Sequence, residues 1–586
     1  ITDMNSLFQN KTTFNEDISN WNVSNVTDMS YMFDVAPAFN QNISGWNVSN
    51  VTTMRCMFCD ATTFNQDLSG WERSTSGNTS TLGNVENMRS MFYGATNFNN
   101  GDSGNYQANT LNNWNVSSVT TMRTMFYNTA FNQDISGWDV SQVTNMVLMF
   151  YNTPFNQAIG QWNVSSVTTM SSMFEKASAF NKDISGWERT GSTVGNVNDM
   201  SFMFYKSAFN QPIGNWNVSN VNTMESTFSN AGAFNQDLSG WERSTSGNTS
   251  TLANVTNMTQ MFFVNSFNNG DSGDNGLKPL NNWNVSGVMF MDYMFYDSPF
   301  NQDIEEWNVS NVSSMTVMFA SGGFASAGKF NKPLAKWERQ LGVNGATSTS
   351  TVGNVTRMEY MFSGAKAFNQ DITGWNVSNV TNMSNMFAYA EKFNEDIRTW
   401  TPMANVDLTN MFVDATAMIA SYSTNPKFGN AENNYTPLVT FFTNVIPVIT
   451  SSPTFSALEN QKSIGTVTAT DGDNDTLTYF VDGNELEINL TSGLLTFKNA
   501  PDYETKNTYT ATITVSDGTN IVTQDITVNV TDGNERPVIT SSATFNTNDK
   551  ETVIGQVIAT DQDTGATLTY SVSGADANTS RTYYIQ

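Results

Sequence analysis

The chain contains no histidine, only two cysteines, and 26 Lys and Arg against 53 Asp and Glu among 586 residues. Without histidine, Ser-His-Asp catalysis, Cys-His catalysis and imidazole-bound zinc are excluded. Two cysteines cannot form a disulfide framework. The net charge of −27 opposes binding to nucleic acids and to anionic membrane surfaces. No apolar run approaches the roughly 18 residues of a membrane span.

Tryptophan and methionine are confined to one part of the chain. All 14 Trp lie between Trp21 and Trp400, and all 30 Met lie between Met4 and Met418. Residues 445–586 contain neither, and they carry more negative charge per residue than the rest of the chain. We therefore expect two different kinds of structure, joined near residue 440.

A unit of about 25 residues accounts for the Trp and Met pattern. One copy places apolar side chains at Phe39, Ile43, Trp46, Val48, Val51, Met54, Met57 and Phe58. One copy cannot form a core alone, but stacked copies would align these side chains in columns. We expect an extended, bent segment around Trp46, a helical or 3₁₀ turn over residues 54–58, and hydrogen bonds between the Asn residues that follow Phe. With about 4.8 Å between neighbouring strands, 14 coils would form a right-handed rod on the order of 65 Å long.

The unit Phe-Asn-x-x-Ile-Ser-x-Trp-Asn-Val-Ser-x-Val-Thr-x-Met-x-x-Met-Phe resembles the repeat of bacterial BspA-like leucine-rich-repeat surface proteins. The resemblance covers about residues 1–425, and residues 426–444 would form a cap and linker. It implies a mainly β chain with short helical or 3₁₀ turns, folded as a right-handed leucine-rich-repeat-like solenoid. It also implies an extracellular role in adhesion to host proteins, glycans or other cells, without assigning binding residues.

Four repeats carry insertions directly after Trp, and each insertion begins with Glu-Arg. The insertions occupy residues 72–81, 188–193, 242–251 and 338–351. Insertions at one position of a stacked repeat project from one edge, which predicts a recognition edge rich in Ser, Thr, Gly and Asn. The alternative is neutral slippage in a repetitive gene. We expect the Glu-Arg pairs to be exposed ion pairs, and deletion of residues 74–81 to change stability little.

Two further patterns in the repeats have a structural interpretation. Cys56 and Cys59 form a C-x-x-C sequence, but other repeats carry Ser, Tyr or Asp there, so we interpret the pair as structural or incidental. Acids occur at about one per repeat, at Asp17, Asp67, Asp134, Asp183, Asp237, Asp303, Asp371 and Asp396. They fall in a turn and are not paired as a glycosidase requires, so we expect turn capping and no enzyme activity.

Residues 445–586 repeat on a longer period, since Pro447-Val448-Ile449 recurs as Pro537-Val538-Ile539. Alternating apolar and polar residues between Asp-Gly turns indicate β-sandwich domains of about 90 residues. Acidic motifs resemble those of cadherin-type repeats, at Glu459-Asn460, Asp471-x-Asp473, Asp502-Tyr503-Glu504 and Asp532-Gly533-Asn534-Glu535. The resemblance assigns residues 445–536 to one cadherin-like sandwich and residues 537–586 to the first half of a second.

Cadherin-like domains imply Ca²⁺ at the junction between them, where acids from several segments would supply its roughly 6–8 oxygen ligands. By resemblance, the ligands are Glu459, Asp502, Glu504, Asp532, Asn534, Glu535, Asp561 and Asp563. Glu535 and Arg536 depart from the family pattern, which usually has Asp and Asn. The alternative is that Asp, Asn and Gly occur here because turns favour them. At the top of the first domain, Asp471, Asp473 and Asp517 lack an acidic linker, so weak or absent binding is expected.

These features predict a fragment of an extracellular bacterial adhesin, in which a solenoid recognises a partner on a calcium-stiffened cadherin-like stalk. The partner would be a protein or glycan on another cell or matrix, bound through the insertion loops. The secretion signal and surface anchor are expected outside these residues. The alternative is a purely structural spacer or filament element of a giant surface protein, with recognition elsewhere.

Overall fold

The computed structural model describes residues 1–75, 78–102, 111–245, 248–271, 279–323, 328–340 and 349–574. The chain divides into two compact units, Ile1–Thr443 and Asn444–Gln586. The division lies close to the change in composition near residue 440. The predicted ends of the repeat region at residue 425, of the cap and linker at residue 444 and of the first cadherin-like domain at residue 536 remain predictions. Among the described residues, no helix is long and apolar enough to cross a membrane.

Successive repeats of the first unit are paired through their backbones. Single parallel bridges, one per repeat, connect equivalent positions from Asp3 to Asp407. In the Met-x-x-Met-Phe segment, alternate N–H groups donate to the next repeat, as Met54 N does to Asn87 O at 2.9 Å. The intervening groups donate within the repeat, as Met57 N does to Met54 O at 3.2 Å. Each repeat is therefore bonded both to itself and to its neighbour.

The helical or 3₁₀ turn expected over residues 54–58 is wrong. Cys56 and Asp60 have φ angles of 55° and 52°, and the position of Cys56 is left-handed throughout the unit. Even Thr124 and Val317, whose branched side chains disfavour this conformation, adopt it there. Left-handed residues spaced four apart direct alternate N–H groups towards the next repeat, which a right-handed helix would not do.

Aromatic columns fill the core of the first unit. Trp138 and Trp162 stack with ring centres 6.4 Å apart, and Trp162 Nε1 donates to Ile135 O of the preceding repeat at 3.1 Å. The Phe side chains of the Met-Phe pairs stack in the same way, with 5.8 Å between Phe126 and Phe150. Apolar side chains from every repeat form one continuous buried cluster.

The Asn residues that follow Phe do connect neighbouring repeats, although through the backbone rather than between side chains. Asn40 N donates to Asn15 Oδ1 at 2.9 Å, and Asn65 N donates to Asn40 Oδ1 at 2.9 Å. The acids two positions later cap the following turn, as Asp17 Oδ1 accepts from Ser19 N at 2.9 Å. The turn-capping interpretation of these acids is confirmed.

Short helices and hairpins accompany the insertions. Four 3₁₀ turns end on the Trp before an insertion, at Ser69–Trp71, Ser185–Trp187, Ser239–Trp241 and Ala335–Trp337. Two insertions form hairpins, in which β1 (Arg73–Thr75) pairs with β2 (Asn78–Ser80) and β3 (Arg243–Thr245) pairs with β4 (Asn248–Ser250).

The last repeats are followed by a small helical cap. It consists of 3₁₀ turns at Ile397–Thr399, Ala431–Asn433 and Val439–Phe442 and of helix α1 (Thr416–Tyr422). Phe442 stacks on Trp400 with 6.3 Å between ring centres, so the cap covers the final indole of the column.

The second unit contains a β-sandwich. Its strands are β5 (Val448–Ile449), β6 (Thr454–Leu458), β7 (Ser463–Thr466), β8 (Ala469–Thr470), β9 (Thr478–Val481), β10 (Leu486–Ile488), β11 (Leu494–Phe497), β12 (Thr508–Ser516) and β13 (Ile521–Thr531). One sheet has the order β6-β13-β12-β9 and the other β10-β11-β7, while β5 pairs with β8. Further on, β14 (Val538–Ile539) pairs with β15 (Ala559–Thr560). The mainly β character of the chain is confirmed.

Replacement of Trp162 by Ala should lower the free energy of unfolding of the first unit by roughly 3–5 kcal/mol, because the side chain is fully buried and leaves a cavity. Trp21 in the first repeat is 39% exposed, so Trp21→Ala serves as the matched control and should cost far less. Chemical denaturation followed by Trp fluorescence measures both. Equal losses in the two variants would contradict the stacked column.

Candidate functional site

The four insertions are built on a common base formed by their Glu residue. Glu72 Oε2 accepts from Leu82 N at 2.9 Å, where the chain re-enters the repeat, and from Asn115 N of the next repeat at 3.1 Å. Glu188, Glu242 and Glu338 bind the equivalent backbone groups in their own insertions. One carboxylate thus closes each loop and fastens it to the following repeat.

The Arg residue of each pair binds the preceding repeat. Arg73 Nη1 donates to Ser44 O and Trp46 O at 3.1 Å each, and Arg189 Nη1 donates to Gly160 O and Trp162 O at 3.2 Å. Both side chains of every Glu-Arg pair are half-buried. The expectation of exposed ion pairs is therefore wrong, since the carboxylate and the guanidinium both bind backbone groups that the insertion would leave without partners.

The end of each insertion also supplies hydrogen bonds to the repeat before it. Ser80 is buried, and its Oγ accepts from Val48 N at 3.1 Å, while Thr81 N donates to Ser49 Oγ at 3.2 Å. Removing residues 74–81 deletes the Ser80 acceptor and the Thr81 donor, so the structure predicts a measurable loss of stability and revises the expectation of a silent deletion.

The C-x-x-C sequence is joined as a disulfide between Cys56 and Cys59. Asp34 lies beside the two sulfur atoms. Because a disulfide offers no thiolate, these three residues are not a metal site as the structure has them.

Four predicted calcium ligands meet in the second unit because two strands end together. Strands β6 and β13 pair in parallel, with Leu458 opposite Thr531. Glu459 and Asp532 follow directly on these two strands and so leave the sheet at the same end.

Glu459 is buried and holds two neighbouring segments of this site. Its Oε1 accepts from Gly533 N at 2.6 Å, and its Oε2 accepts from Tyr503 N at 2.9 Å. These bonds bring the segments of Glu504 and Glu535 to the same place. One carboxylate oxygen from each of Glu459, Glu504, Asp532 and Glu535 therefore lies within 4.8 Å of the other three.

The acidic cluster formed by Glu459, Glu504, Asp532 and Glu535 is electrostatically unfavourable by itself. Loss of hydration and the charge of Glu459 raise the pKa of Glu535 to about 7, with Asp563 and Glu504 adding to the effect. Loss of hydration and the charges of Glu459 and Asp532 raise the pKa of Glu504. Buried oxygens of Glu504, Glu535 and Asp563 accept no hydrogen bond. An all-oxygen donor set with unsatisfied carboxylate oxygens fits a hard cation such as Ca²⁺.

The other predicted ligands lie around the acidic cluster rather than in it. Asp563 Oδ2 accepts from Glu535 N at 3.1 Å, and Asp561 Oδ1 accepts from Asp563 N at 3.0 Å. The two oxygens of Asp502 accept from Thr505 N and Gln562 Nε2, which lowers the pKa of this carboxyl, and the amide of Asn534 donates to a backbone carbonyl. Ligation by these eight residues remains a prediction.

A second group of acids lies at the other end of the sandwich. It contains Asp471, Asp475 and Asp517, while Asp473 Oδ2 is occupied by Val445 N at 2.6 Å. The cadherin resemblance pairs Asp473 with Asp471 and does not include Asp475. The sequence Asp-Gly-Asp-Asn-Asp at residues 471–475 indicates an acidic group here. Spacing alone does not show which of its carboxylates lie close to Asp517.

The fold is thus a stack of paired repeats followed by a β-sandwich with a carboxylate cluster at one end. The repeats match the family described as "Mycoplasma protein of unknown function, DUF285", over residues 1–101, 78–110, 101–194, 190–271, 245–348 and 341–436. These segments cover well over half of the chain, and the chain belongs to this family.

The chain is also similar to cadherin-related proteins. It is 36% identical over 105 residues to "Cadherin-related family member 2" of Mus musculus, which is 17% of this chain and 8% of that protein. It is 32% identical over 133 residues to "Fat-like cadherin-related tumor suppressor homolog" of Drosophila melanogaster, which is 21% of this chain and 3% of that protein. The human protocadherin-24 EC1-2 structure matches with 30% identity and a TM-score of 0.18, over 21% of this chain and 62% of that chain. This chain spans less than a tenth of either relative.

Replacement of Glu72 by Ala should destabilise the first unit by about 1–3 kcal/mol, because the backbone N–H groups of Leu82 and Asn115 lose their acceptor. The matched control is Glu86→Ala, since Glu86 is exposed and a surface change of this kind usually costs less than about 0.5 kcal/mol. Urea denaturation compares the two. A loss no larger for Glu72→Ala than for Glu86→Ala would refute the proposed anchoring.

The raised pKa of Glu535 predicts how the stability of the second unit depends on pH in calcium-free buffer. The folded state holds the proton more tightly than the unfolded state, because its pKa of about 7 exceeds the ordinary value of 4.5. Stability should therefore fall as pH rises from about 4.5 to 7. Scanning calorimetry with chelator should show this fall in the parent and a smaller fall in Glu535→Gln. A melting temperature that rises over this range would contradict the assignment.

Proposed function

We propose that this protein is an extracellular adhesion protein, in which the repeats present a recognition edge and the cadherin-like part forms a calcium-stiffened stalk. Membership of a surface-repeat family and similarity to cadherin-related proteins support the adhesive role. The observation that carries the proposal is the common base of the four insertions, since one carboxylate fixes each loop at the same position of its repeat.

We infer that the repeats form a right-handed leucine-rich-repeat-like solenoid. The unbroken series of parallel bridges and the stacked Trp and Phe side chains support this inference. In such a solenoid, insertions at one repeat position share one edge. The four insertions would therefore act together as one surface, rather than as separate loops.

The partner that this edge would bind is a protein or glycan on another cell or matrix. The insertions are rich in Ser, Thr, Asn and Gly, whose hydroxyl and amide groups hydrogen-bond to sugar hydroxyls or to peptide groups. Because the loops are anchored at their base, their backbone would lose less freedom on binding than that of an unanchored loop.

At the base of the first cadherin-like domain, Glu459, Glu504, Asp532 and Glu535 would hold Ca²⁺, with Asp563 from the following domain close by. Bound Ca²⁺ supplies the positive charge that offsets the repulsion between these carboxylates. Glu459 accepts a hydrogen bond from Gly533 N in the linker, and Glu535 N donates to Asp563 of the following domain. Residues of both domains and of the linker would therefore surround the bound ion. We propose that cation binding restricts the hinge between the domains.

Trimming all four insertions to the plain repeat, with one Asn after each Trp, should abolish binding to the uncharged glycans and matrix proteins of an array. Trp fluorescence and circular dichroism should show that the repeats remain folded, because most repeats already have this plain form. A variant that lacks only residues 72–81 is the control and should retain partial binding. Undiminished binding by the fully trimmed protein would favour the spacer alternative.

Calcium should raise the melting temperature of the second unit, because a ligand at 100 times its dissociation constant stabilises by about 2.7 kcal/mol. The double variant Glu504→Gln with Asp532→Asn should lose this response, whereas Glu487→Gln, at an exposed carboxylate elsewhere in the sandwich, should keep it. Calorimetric titration with CaCl₂ measures the difference. Equal calcium responses in all three proteins would rule out the site.

A further inference from the structure

Three arginines lie in register on the backbone-paired face of the repeats. Arg55, Arg89 and Arg123 occupy the same position in three successive repeats, one residue after the first Met of each Met-x-x-Met-Phe segment. The pairing fixes this register, since Cys56 N donates to Arg89 O at 2.9 Å and Ser90 N donates to Arg123 O at 2.8 Å. Arg89 is exposed, and the other two side chains are half-buried. We call these three side chains the arginine column.

No residue that the structure describes forms an ion pair or a side-chain hydrogen bond with the arginine column. The guanidinium of Arg55 lies over the ring of Tyr31, at 5.2 Å from its centre. Elsewhere in the unit, Arg357 and Arg398 pair with carboxylates, and the insertion arginines bind carbonyl groups. Three adjacent like charges are left without an opposite charge, although the protein as a whole is strongly acidic.

The acids of the neighbouring segments do not neutralise the column. Asp34 and Asp60 lie in the same Met-Phe segments, four or five residues beyond the position of Arg55 in their own repeats. Loss of hydration and the charge of Asp34 raise the pKa of Asp60, whereas a guanidinium next to Asp60 would lower it. These two acids therefore interact with each other, and the arginine column remains available to an outside anion.

A row of stacked tyrosines occupies another position of the same segments, four residues after the position of the arginines. Tyr93, Tyr127 and Tyr151 stack with ring centres 4.5 and 4.3 Å apart, and Lys176 covers the far face of Tyr151 at 4.6 Å. Loss of hydration and the neighbouring Tyr151 raise the pKa of Tyr127 to about 12. A hydrogen bond between the Tyr127 and Tyr151 side chains contributes to this rise, so the Tyr127 hydroxyl is already engaged within the row.

We propose that the arginine column binds an acidic polysaccharide that runs along the direction of stacking. Each guanidinium would bind one sulfate or carboxylate group through paired hydrogen bonds. Consecutive repeats are separated by about the spacing of paired strands, roughly 4.8 Å, which is close to the advance per sugar of an extended polysaccharide. Successive charged sugars can therefore meet successive arginines.

Nucleic acid fits this surface less well than a polysaccharide does. Double-stranded DNA carries one charge per roughly 1.7 Å of its axis, and the net charge of −27 would repel such a dense polyanion beyond the three arginines. This site is distinct from the insertion edge, because it lies in the Met-x-x-Met-Phe segments rather than after Trp. The two surfaces are therefore tested independently.

The test compares the whole protein with a triple variant, Arg55→Ser, Arg89→Ser and Arg123→Ser, on immobilised heparin, polygalacturonate and dextran. Serine is compatible with the fold there, because Ser30, Ser171 and Ser201 occupy the same position in other repeats. The matched control is Lys182→Ser with Lys332→Ser and Lys392→Ser, which removes equal charge from scattered positions. Surface plasmon resonance at several salt concentrations measures affinity.

The parent should bind heparin or polygalacturonate and not dextran, and its affinity should fall as salt rises. The arginine variant should bind at least about 100-fold more weakly, since each charge-assisted hydrogen bond contributes about tenfold or more. The lysine control should bind within a few-fold of the parent. Tyr127→Phe should also bind within a few-fold of the parent, because its hydroxyl is engaged by Tyr151 and because Phe263 occupies the equivalent position.

Loss of binding in the lysine control equal to that in the arginine variant would overturn the proposal, because only net charge would then matter. Equal affinity for a DNA duplex, or no binding to either acidic polysaccharide, would overturn it as well. The protein with all four insertions trimmed should still bind. Its failure to do so would place the polysaccharide on the insertion edge and would also overturn the arginine column as the site.

Discussion

The fold of the first unit depends on backbone hydrogen bonds between neighbouring repeats. Alternate N–H groups of each Met-x-x-Met-Phe segment donate to the next repeat, and this requires a left-handed residue at the position of Cys56 in every copy. Such a conformation is unfavourable for most residues and persists where the surroundings demand it. A single repeat could satisfy neither its N–H groups nor its apolar side chains, so the stack is the smallest stable structure.

This constraint also explains where the chain tolerates insertions. Among the residues that the structure describes, no backbone hydrogen bond joins plain repeats directly after Trp, so added residues interrupt no pairing there. The insertions nevertheless leave new polar groups at the edge, and Glu72 and Arg73 satisfy these by binding backbone groups on either side. The loops are thus variable in length but uniform at their base. Such a design holds variable loops on a fixed scaffold, as recognition surfaces generally require.

Much of the architecture follows from the sequence, because the repeat shows which side chains must align. The buried Trp and Phe columns, the contact through Asn40, the capping by Asp17 and the sandwich after residue 445 could all be predicted. The left-handed turn after Met54 could not be predicted, because i, i+3, i+4 spacing fits a helix as well as such a turn. Only the hydrogen bonds between repeats select the left-handed conformation. The expectation of exposed Glu-Arg ion pairs fails for a related reason. Adjacency in the sequence suggests that the two side chains pair with each other, whereas in the structure each hydrogen-bonds to backbone groups.

The same limit applies to the acids of the second unit. Glu459 and Asp532 could be placed together only through the parallel pairing of β6 with β13, which is a property of the sheet and not of either motif. Resemblance to cadherins names eight residues as ligands, and the structure brings the carboxylates of four of them together. It brings Glu504 and Glu535 into the cluster and leaves the oxygens of Asp502 engaged by Thr505 and Gln562.

The acidic cluster and the arginine column are both groups of like charges, but they differ in how the repulsion can be relieved. A carboxylate can take up a proton, and Glu535, whose pKa is raised to about 7, does so near neutral pH. In the proposed calcium site, a bound cation would displace this proton, so the proposal requires cation affinity to weaken on acidification. A guanidinium cannot lose its proton under these conditions. For Arg55, Arg89 and Arg123 the remaining means of relief is an external anion, so binding there depends on salt concentration rather than on pH.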